Sequence, residues 1–244
     1  MACDATPRRA AIEDVRFTQP LYTVPEAARL VGMSPSTLHT WAHGYERRPL
    51  GRPGVKQGPV ITSVRRPHDD RTIPFIGLVE ATVVQAFRRS DLSMQRIRRA
   101  LEVLAHEGEL EHALASRSVF TDGAHVLYDY ARKQGDGQLR LLTVVTSGQI
   151  VFHDLISEYL TRITFGDAWA TELFVPVTRR ELLRIRPTVA AGTPLFVNGG
   201  APLSAVRSRL LAGEPAISIA DYYQVPVADI NEAINAIWPQ ALAA

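Results

Sequence analysis

Six residues in one short segment, Ser34, Ser36, Thr37, His39, Thr40 and His43, can donate and accept hydrogen bonds side by side. Small hydroxyls near the start of a helix reach base edges in a DNA major groove, and the helix's first N–H groups donate to a phosphate. Four cations follow, Arg47, Arg48, Arg52 and Lys56, in a Gly- and Pro-rich stretch suited to gripping the flanking backbone. Other chemistry is poorly served. His39 and His43 stand at i, i+4, a spacing that can hold a metal, but no third cysteine, histidine or paired carboxylate lies near them. Asp69 and Asp70 are adjacent, so in an extended segment they point apart and form no catalytic dyad. Gly199-Gly200 and Gly135-x-Gly137 lack the strand–loop–helix setting of a phosphate loop, and no serine-nucleophile or zinc-protease motif occurs. The expectation is a protein that is no enzyme and that uses no metal or cofactor.

The elements that would position these residues are written in local signals. Thr23-Val24-Pro25-Glu26 has capping-box spacing, with Pro25 in the first turn where a missing N–H is harmless. Val24, Ala27, Ala28 and Val31 form a helical stripe that Gly32 ends. Ser34 then caps a second helix with Pro35 at its first position and Leu38 and Trp41 turned inward. Two short helices around a tight glycine turn make a helix-turn-helix. Arg47 to Pro59, leading into Val60–Val64, reads as a β-hairpin wing with its tip at Arg52–Lys56. Ile73–Phe87 and a helix capped by Ser93, with Ile97, Ala100, Leu101 and Leu104 inward, complete a head over 21–105. A helical pair used only for packing is the alternative reading.

Charge sharpens this. The 244 residues carry 27 Lys+Arg against 25 Asp+Glu, a net charge of +2. Between Arg47 and Arg99, however, 12 basic residues face four acidic ones, a local charge of +8, which leaves −6 for the rest. Neutralising phosphates releases condensed counterions, so a basic segment in a neutral chain points to a polyanion. A solvated arginine-rich surface is the bland alternative. No run of 18 uncharged apolar residues spans a membrane, and the N-terminus has no secretory h-region. Cys3 alone allows no internal disulfide, which fits a reducing cytoplasm.

Residues 1–20 read as a mobile arm and 106–178 as an α/β connector. In the connector, Ser118–Thr121 is expected as a strand closed by the Asp122-Gly123 turn dipeptide. Leu139–Val145 and Gln149–Val151 pair around Ser147-Gly148, a helix runs from about 153 to 161, and 163–165 pairs with 169–175. Residues 179–244 hold three helices, begun by Pro202, Ser218 and Pro226. The fold class is α+β, mainly helical. From residue 200 onward, two arginines face four acids, so phosphate would be repelled there. A protein interface fits better, offered by Tyr222, Tyr223, Ile237 and Trp238, unless these simply fill a small core.

"YTVPEAARLVGMSPSTLHTWAHG", the glycine-rich wing and "IPFIGLVEATVVQAFRRSDLSMQRIRRALEVL" resemble the DNA-binding domain of MerR-type regulators. The chain departs from that pattern at Trp41-Ala42-His43, in its longer wing, and in lacking a long coiled-coil helix after Leu104. "PLSAVRSRLLAGEPAISIADYYQVPVADINEAI" resembles a bacterial antitoxin-associated domain of unknown function, with Asn198–Ala201 departing from its usual turn. Together the parts resemble a VapB-type antitoxin. That resemblance implies a cognate PIN-domain ribonuclease toxin as partner, binding of operator DNA, and a homodimer. The competing reading is a one-component MerR-like regulator with a ligand pocket around Leu141, Val144, Phe152 and Trp169. A purely structural adaptor is the third.

Overall fold

Antiparallel pairing of two distant strands sets the frame of the N-terminal half in the computed structural model. The structure describes residues 14–47, 54–89, 93–107, 112–140, 143–146, 149–152 and 154–239. Strand β1 (Pro20–Thr23) pairs with β4 (Arg71–Pro74), placing Tyr22 opposite Ile73. Each strand feeds a helix: β1 runs into α2 (Val24–Val31), and β4 into α4 (Phe75–Arg89). A short helix α1 (Val15–Thr18) precedes them, and α3 (Pro35–His43) follows α2.

Residues 14–20, expected to belong to a mobile arm, are part of the folded body. Asp14 caps α1 by accepting from the Arg16 N–H, and the Arg16 guanidinium donates to the carbonyl of Ala170. Phe17 is buried, edge-on to Trp169 with ring centroids 5.2 Å apart. Burial of Phe17 offsets part of the entropy of ordering this segment, and the Asp14 cap and the Arg16 bond to Ala170 add to it. Residues 1–13, with Arg8 and Arg9, lie outside the described residues.

Helix α4 is the hub. From Phe75 to Phe87 nearly every residue is buried, and it touches α1, α2, α3, β4 and the helices that follow it in sequence. A helix that is apolar all round belongs in a core. Helix α5 (Met94–Glu107) buries Ile97, Ala100 and Leu104 of the expected stripe, while Leu101 is only half-buried. After a 3-10 turn (Ala113–Ala115) comes α6 (Arg117–Gln134).

That helix corrects the hairpin expected at 118–123. Ala124, Leu127 and Ala131 recur at i, i+3, i+7 and are buried against α5 and β6 (Gln149–Phe152). Tertiary contact thus overrides a local turn dipeptide. The short helix α7 (Gly137–Arg140) takes the start of the strand expected from Leu139, and β5 (Thr143–Thr146) pairs with β6 in the expected hairpin. Phe152 and Trp169, read as walls of a ligand pocket, are core side chains instead: Phe152 sits 6.2 Å from the ring of Phe87. Leu141 and the side chain of Val144 lie outside what the structure describes.

Helix α8 (Asp154–Leu160) leads into a four-stranded antiparallel sheet, β10-β9-β8-β7. Strands β7 (Ile163–Phe165) and β8 (Ala170–Phe174) form the expected hairpin, and β9 (Leu183–Ile185) and β10 (Leu195–Phe196) extend it. The sheet therefore takes two strands from each side of residue 178. Arg162, buried at the sheet's start, is satisfied by the carbonyls of Val175 and Arg179.

Three helices close the chain: α9 (Leu203–Leu211), α10 (Ala216–Tyr223) and α11 (Val227–Ile237). Prolines 202, 215 and 226 stand at their N-caps, so α10 begins two residues before the expected Ser218. Asp229 on α11 is buried and accepts from Arg180 and from the amide of Asn198, each at 3.0 Å. The same loop passes so close to α10 that a Cβ at Gly199 (φ +75°) would stand 2.1 Å from the Tyr223 carbonyl. Leu211, expected inside, is 63% exposed. Among the described residues no helix is long and apolar enough to cross a membrane.

Candidate nucleic-acid interface

Reciprocal capping builds α2. The Thr23 hydroxyl accepts from the Glu26 N–H at 3.3 Å, and the Glu26 carboxylate accepts from the Thr23 N–H at 2.9 Å. Gly32, at φ +76°, ends the helix in the left-handed region, where a side chain would be strained. The chain turns at once into α3, whose N-cap Ser34 accepts from the Thr37 N–H at 3.2 Å and lies 2.8 Å from the Thr37 hydroxyl.

Leu38, Trp41 and Ala42 anchor α3 in the core. This leaves the opposite face to the residues singled out in the sequence. Ser34, Ser36, Thr37 and His39 are exposed, while Thr40 and His43 are half-buried. The Thr40 hydroxyl donates back to the Ser36 carbonyl at 3.0 Å, so it presents its lone pairs outward. His39 and His43 stand edge to face, 4.7 Å apart. Burial, then the neighbouring Arg65, then His39 hold His43 below the ordinary histidine range. No cluster of three metal-binding side chains occurs among the described residues.

Beyond α3, β2 (Tyr45–Arg47) pairs with β3 (Val55–Gln57), with Arg47 opposite Val55 and Glu46 opposite Lys56. Lys56 is thus an exposed rung of the ladder rather than part of the hairpin tip. Arg48 and Arg52 lie outside the described residues. Gly44 (φ +72°) makes the crossing possible, since a Cβ there would stand 2.3 Å from the Gln57 carbonyl. Val60–Val64, expected to continue the hairpin as a strand, is irregular. The Val60 and Ile61 N–H groups both donate to the Trp41 carbonyl, tying the hairpin's exit to the end of α3.

Arg65 and Arg66, which lie outside the expected set of site residues, join this face. The segment 64–72 folds back on itself, Val64 N–H donating to Thr72, and this brings Arg65 and Arg66 beside His39 and His43. Together with Thr23, Pro25, Asp69 and the exposed Asp70 they line an open groove of about 580 Å³ along α3. Asp69 is committed to Arg71, which holds its carboxyl below the usual carboxylate range. Arg66 donates to the Thr18 carbonyl, which fixes its stem. The signal in the sequence was Arg65-Arg66-Pro67 just before an apolar helix.

The expected protein interface does not form one face. Tyr222 is 70% exposed and Tyr223 half-buried, their rings 4.9 Å apart with Arg209 stacked over Tyr222. Ile237 is only 3% exposed, because α11 turns it into the core with Ile230 and Ile234. Trp238 lies half-buried in another place, its ring 4.7 Å from the Arg207 guanidinium.

Comparison with known proteins adds a relation along the chain. Residues 20–101 match a family model described as "Putative DNA-binding HTH domain". A Mycobacterium tuberculosis protein named "Putative antitoxin VapB45" is 38% identical over 231 residues, 92% of this chain and 96% of that protein. The crystal structure of Rv2018 from Mycobacterium tuberculosis superposes with a TM-score of 0.76 at 34% identity, covering 90% of this chain and 99% of the other.

Proposed function

Since the chain belongs to the family of the antitoxin VapB45, we propose that it neutralises a PIN-domain ribonuclease toxin and represses its own operon by binding operator DNA. The observation that carries this reading is kinship over nearly the full length of a protein bearing the antitoxin name. The DNA-binding part rests on the helix-turn-helix match as well. In this reading Ser36, Thr37, His39 and Thr40 face the bases from the N-terminal half of α3, as a recognition helix does. The β2–β3 hairpin acts as a MerR-like wing, with Lys56 and the cations at 47, 48 and 52 on the phosphates. Arg65, Arg66 and His43 grip the backbone on the other side of α3. The three C-terminal helices serve as the antitoxin-type domain. Two copies pair on two half-sites, and the pair works in the cytoplasm as a regulator rather than an enzyme.

The test has two parts. Co-expression with the product of the neighbouring gene should rescue growth and give a complex that co-purifies. A salt-sensitive, sequence-specific gel shift should appear on the chain's own promoter. Thr37→Ala should narrow the gap between operator and random DNA by about 1–3 kcal/mol. Absence of both rescue and co-purification would refute the antitoxin part, and equal affinity for operator and random DNA the repressor part.

A further inference from the structure

Tyr22, at the start of the helix-turn-helix, donates its hydroxyl hydrogen to the carbonyl of Gly192, deep in the C-terminal part of the chain. Gly192 stands in the left-handed region at φ +73°, packed closely against Leu21 and the Tyr22 hydroxyl. The turn glycine Gly32 likewise abuts Val177. The helix-turn-helix is therefore seated directly on the sheet and helices that follow it. Beside this seat the surfaces part, and a cleft of about 220 Å³ opens between α2 on one side and α9 and α11 on the other.

The cleft has two kinds of wall. Leu30, Leu203, Ile237 and Trp238 supply apolar surface. Arg29 from α2 and Arg207 from α9 supply two guanidinium groups, which make no ion pair among the described residues. Arg207 stacks on the Trp238 ring, which fixes its plane. The acid in the lining, Glu26, is engaged by the N–H and hydroxyl of Thr23. Two arginines beside one committed carboxylate leave positive charge facing an apolar slot. The slot is smaller than those that hold drug-sized ligands.

We propose that this cleft binds a small organic monocarboxylate with an apolar or aromatic body, and that its occupancy changes affinity for DNA. The carboxylate takes charge-assisted, fork-shaped hydrogen bonds from Arg29 and Arg207 while the body lies against Trp238 and the leucines. Such a ligand touches α2 and the C-terminal helices at once. Its occupancy therefore bears on how α2 packs against α9 and α11, and any difference in that packing between free and DNA-bound protein is the differential contact that coupling requires. This second half rests on the DNA-binding reading; the binding half does not.

Fluorescence titration of the full chain tests binding without DNA. Trp41 and Trp169 are buried, so direct contact with the ligand falls on Trp238, and the contact-dependent part of the emission change should be lost in Trp238→Phe. Phenylacetate, benzoate and hexanoate serve as probes, each set against its neutral amide and against inorganic phosphate. At least one carboxylate should bind about tenfold more tightly than its amide and than phosphate. Arg29→Gln and Arg207→Gln, folded with native melting temperatures, should each weaken it about tenfold, and Arg207→Lys by less. At saturating carboxylate the gel-shift midpoint should move by about fivefold or more. No saturable response to any of the three up to about 10 mM, or equal binding of acid and amide, would overturn the site. An unchanged midpoint with the site occupied would overturn the coupling. Absence of any gel shift, with fluorescence binding intact, would strike the DNA-binding reading instead.

Discussion

Burial, then Arg65, then His39 lower the proton affinity of His43 below that of an ordinary histidine and so favour its neutral form in the free protein. A DNA phosphate brought into the groove reverses that balance, since an anion favours the imidazolium. Binding then takes up a proton, and affinity should rise as pH falls through and below the ordinary histidine value of 6.5. Stability runs the other way. A histidine with a lowered folded pKa leaves the unfolded chain binding more protons, so its contribution is intact above 6.5 and erodes as pH drops below it. Titrating operator affinity from about pH 8 to pH 5.5 at constant salt checks the first effect; in His43→Gln the slope should flatten, and an unchanged slope would remove His43 from the phosphate. Gly44 gives a second expectation at this scale. Gly44→Ala forces a Cβ to within 2.3 Å of the Gln57 carbonyl at φ +72°. Chemical denaturation should show a loss of about 1–3 kcal/mol, with weaker DNA binding because the hairpin no longer closes onto α3.

At the scale of elements, the β2–β3 hairpin and the 64–72 loop flank α3 with cations of different anchorage. Lys56→Gln together with Arg65→Gln should weaken all DNA alike and lower the slope of log K against log salt by about 0.9 for each phosphate no longer neutralised. A loss confined to the operator would instead mark these residues as base readers. Helix α6 offers a sharper contrast. Its Leu127 is fully buried, so Leu127→Ala should cost about 2–5 kcal/mol, read from the denaturation midpoint. The helix-turn-helix was legible because its signals are local: a capping box at Thr23 and Glu26, a glycine at 32, and a serine-proline start at 34. Helix α6 was not, because Asp122-Gly123 carries a strong local turn signal while the stripe Ala124, Leu127 and Ala131 acquires meaning only against α5 and β6. Arg65 and Arg66 counted toward the basic segment in sequence, but nothing there told that 64–72 folds back beside His43. Ile237 is expected at an interface with its neighbour Trp238, although its spacing from Ile230, Ala233 and Ile234 (i, i+3, i+4, i+7) already puts it on the inward stripe that α11 buries.

Over the whole molecule, the expected divisions at 105 and 178 do not divide the core. Buried residues run without a break from Phe17 through α4 and α5 to Leu173, Phe196 and Ile237, in one cluster. The sheet β7–β10 crosses residue 178, and Tyr22 reaches across to Gly192. These links join segments far apart in sequence, so periodicity and composition, which see one window at a time, cannot register them. They carry a thermodynamic consequence. Units that share strands and buried side chains cannot melt separately without exposing each other's apolar surface. Urea unfolding should therefore give one transition, with far-UV circular dichroism, dominated by the helices, coinciding with fluorescence from Trp41 in the head and Trp169 at the sheet. A chain cut after residue 178 removes β9 and β10, leaves β8 with a bare edge and uncovers Leu173 and Val175, which are fully buried in the intact fold. It should lose that cooperative transition and aggregate through the exposed strand. Two separated transitions in the intact chain, or a soluble and cooperatively folding 14–178 fragment, would show that the head is seated on the C-terminal part without sharing its core.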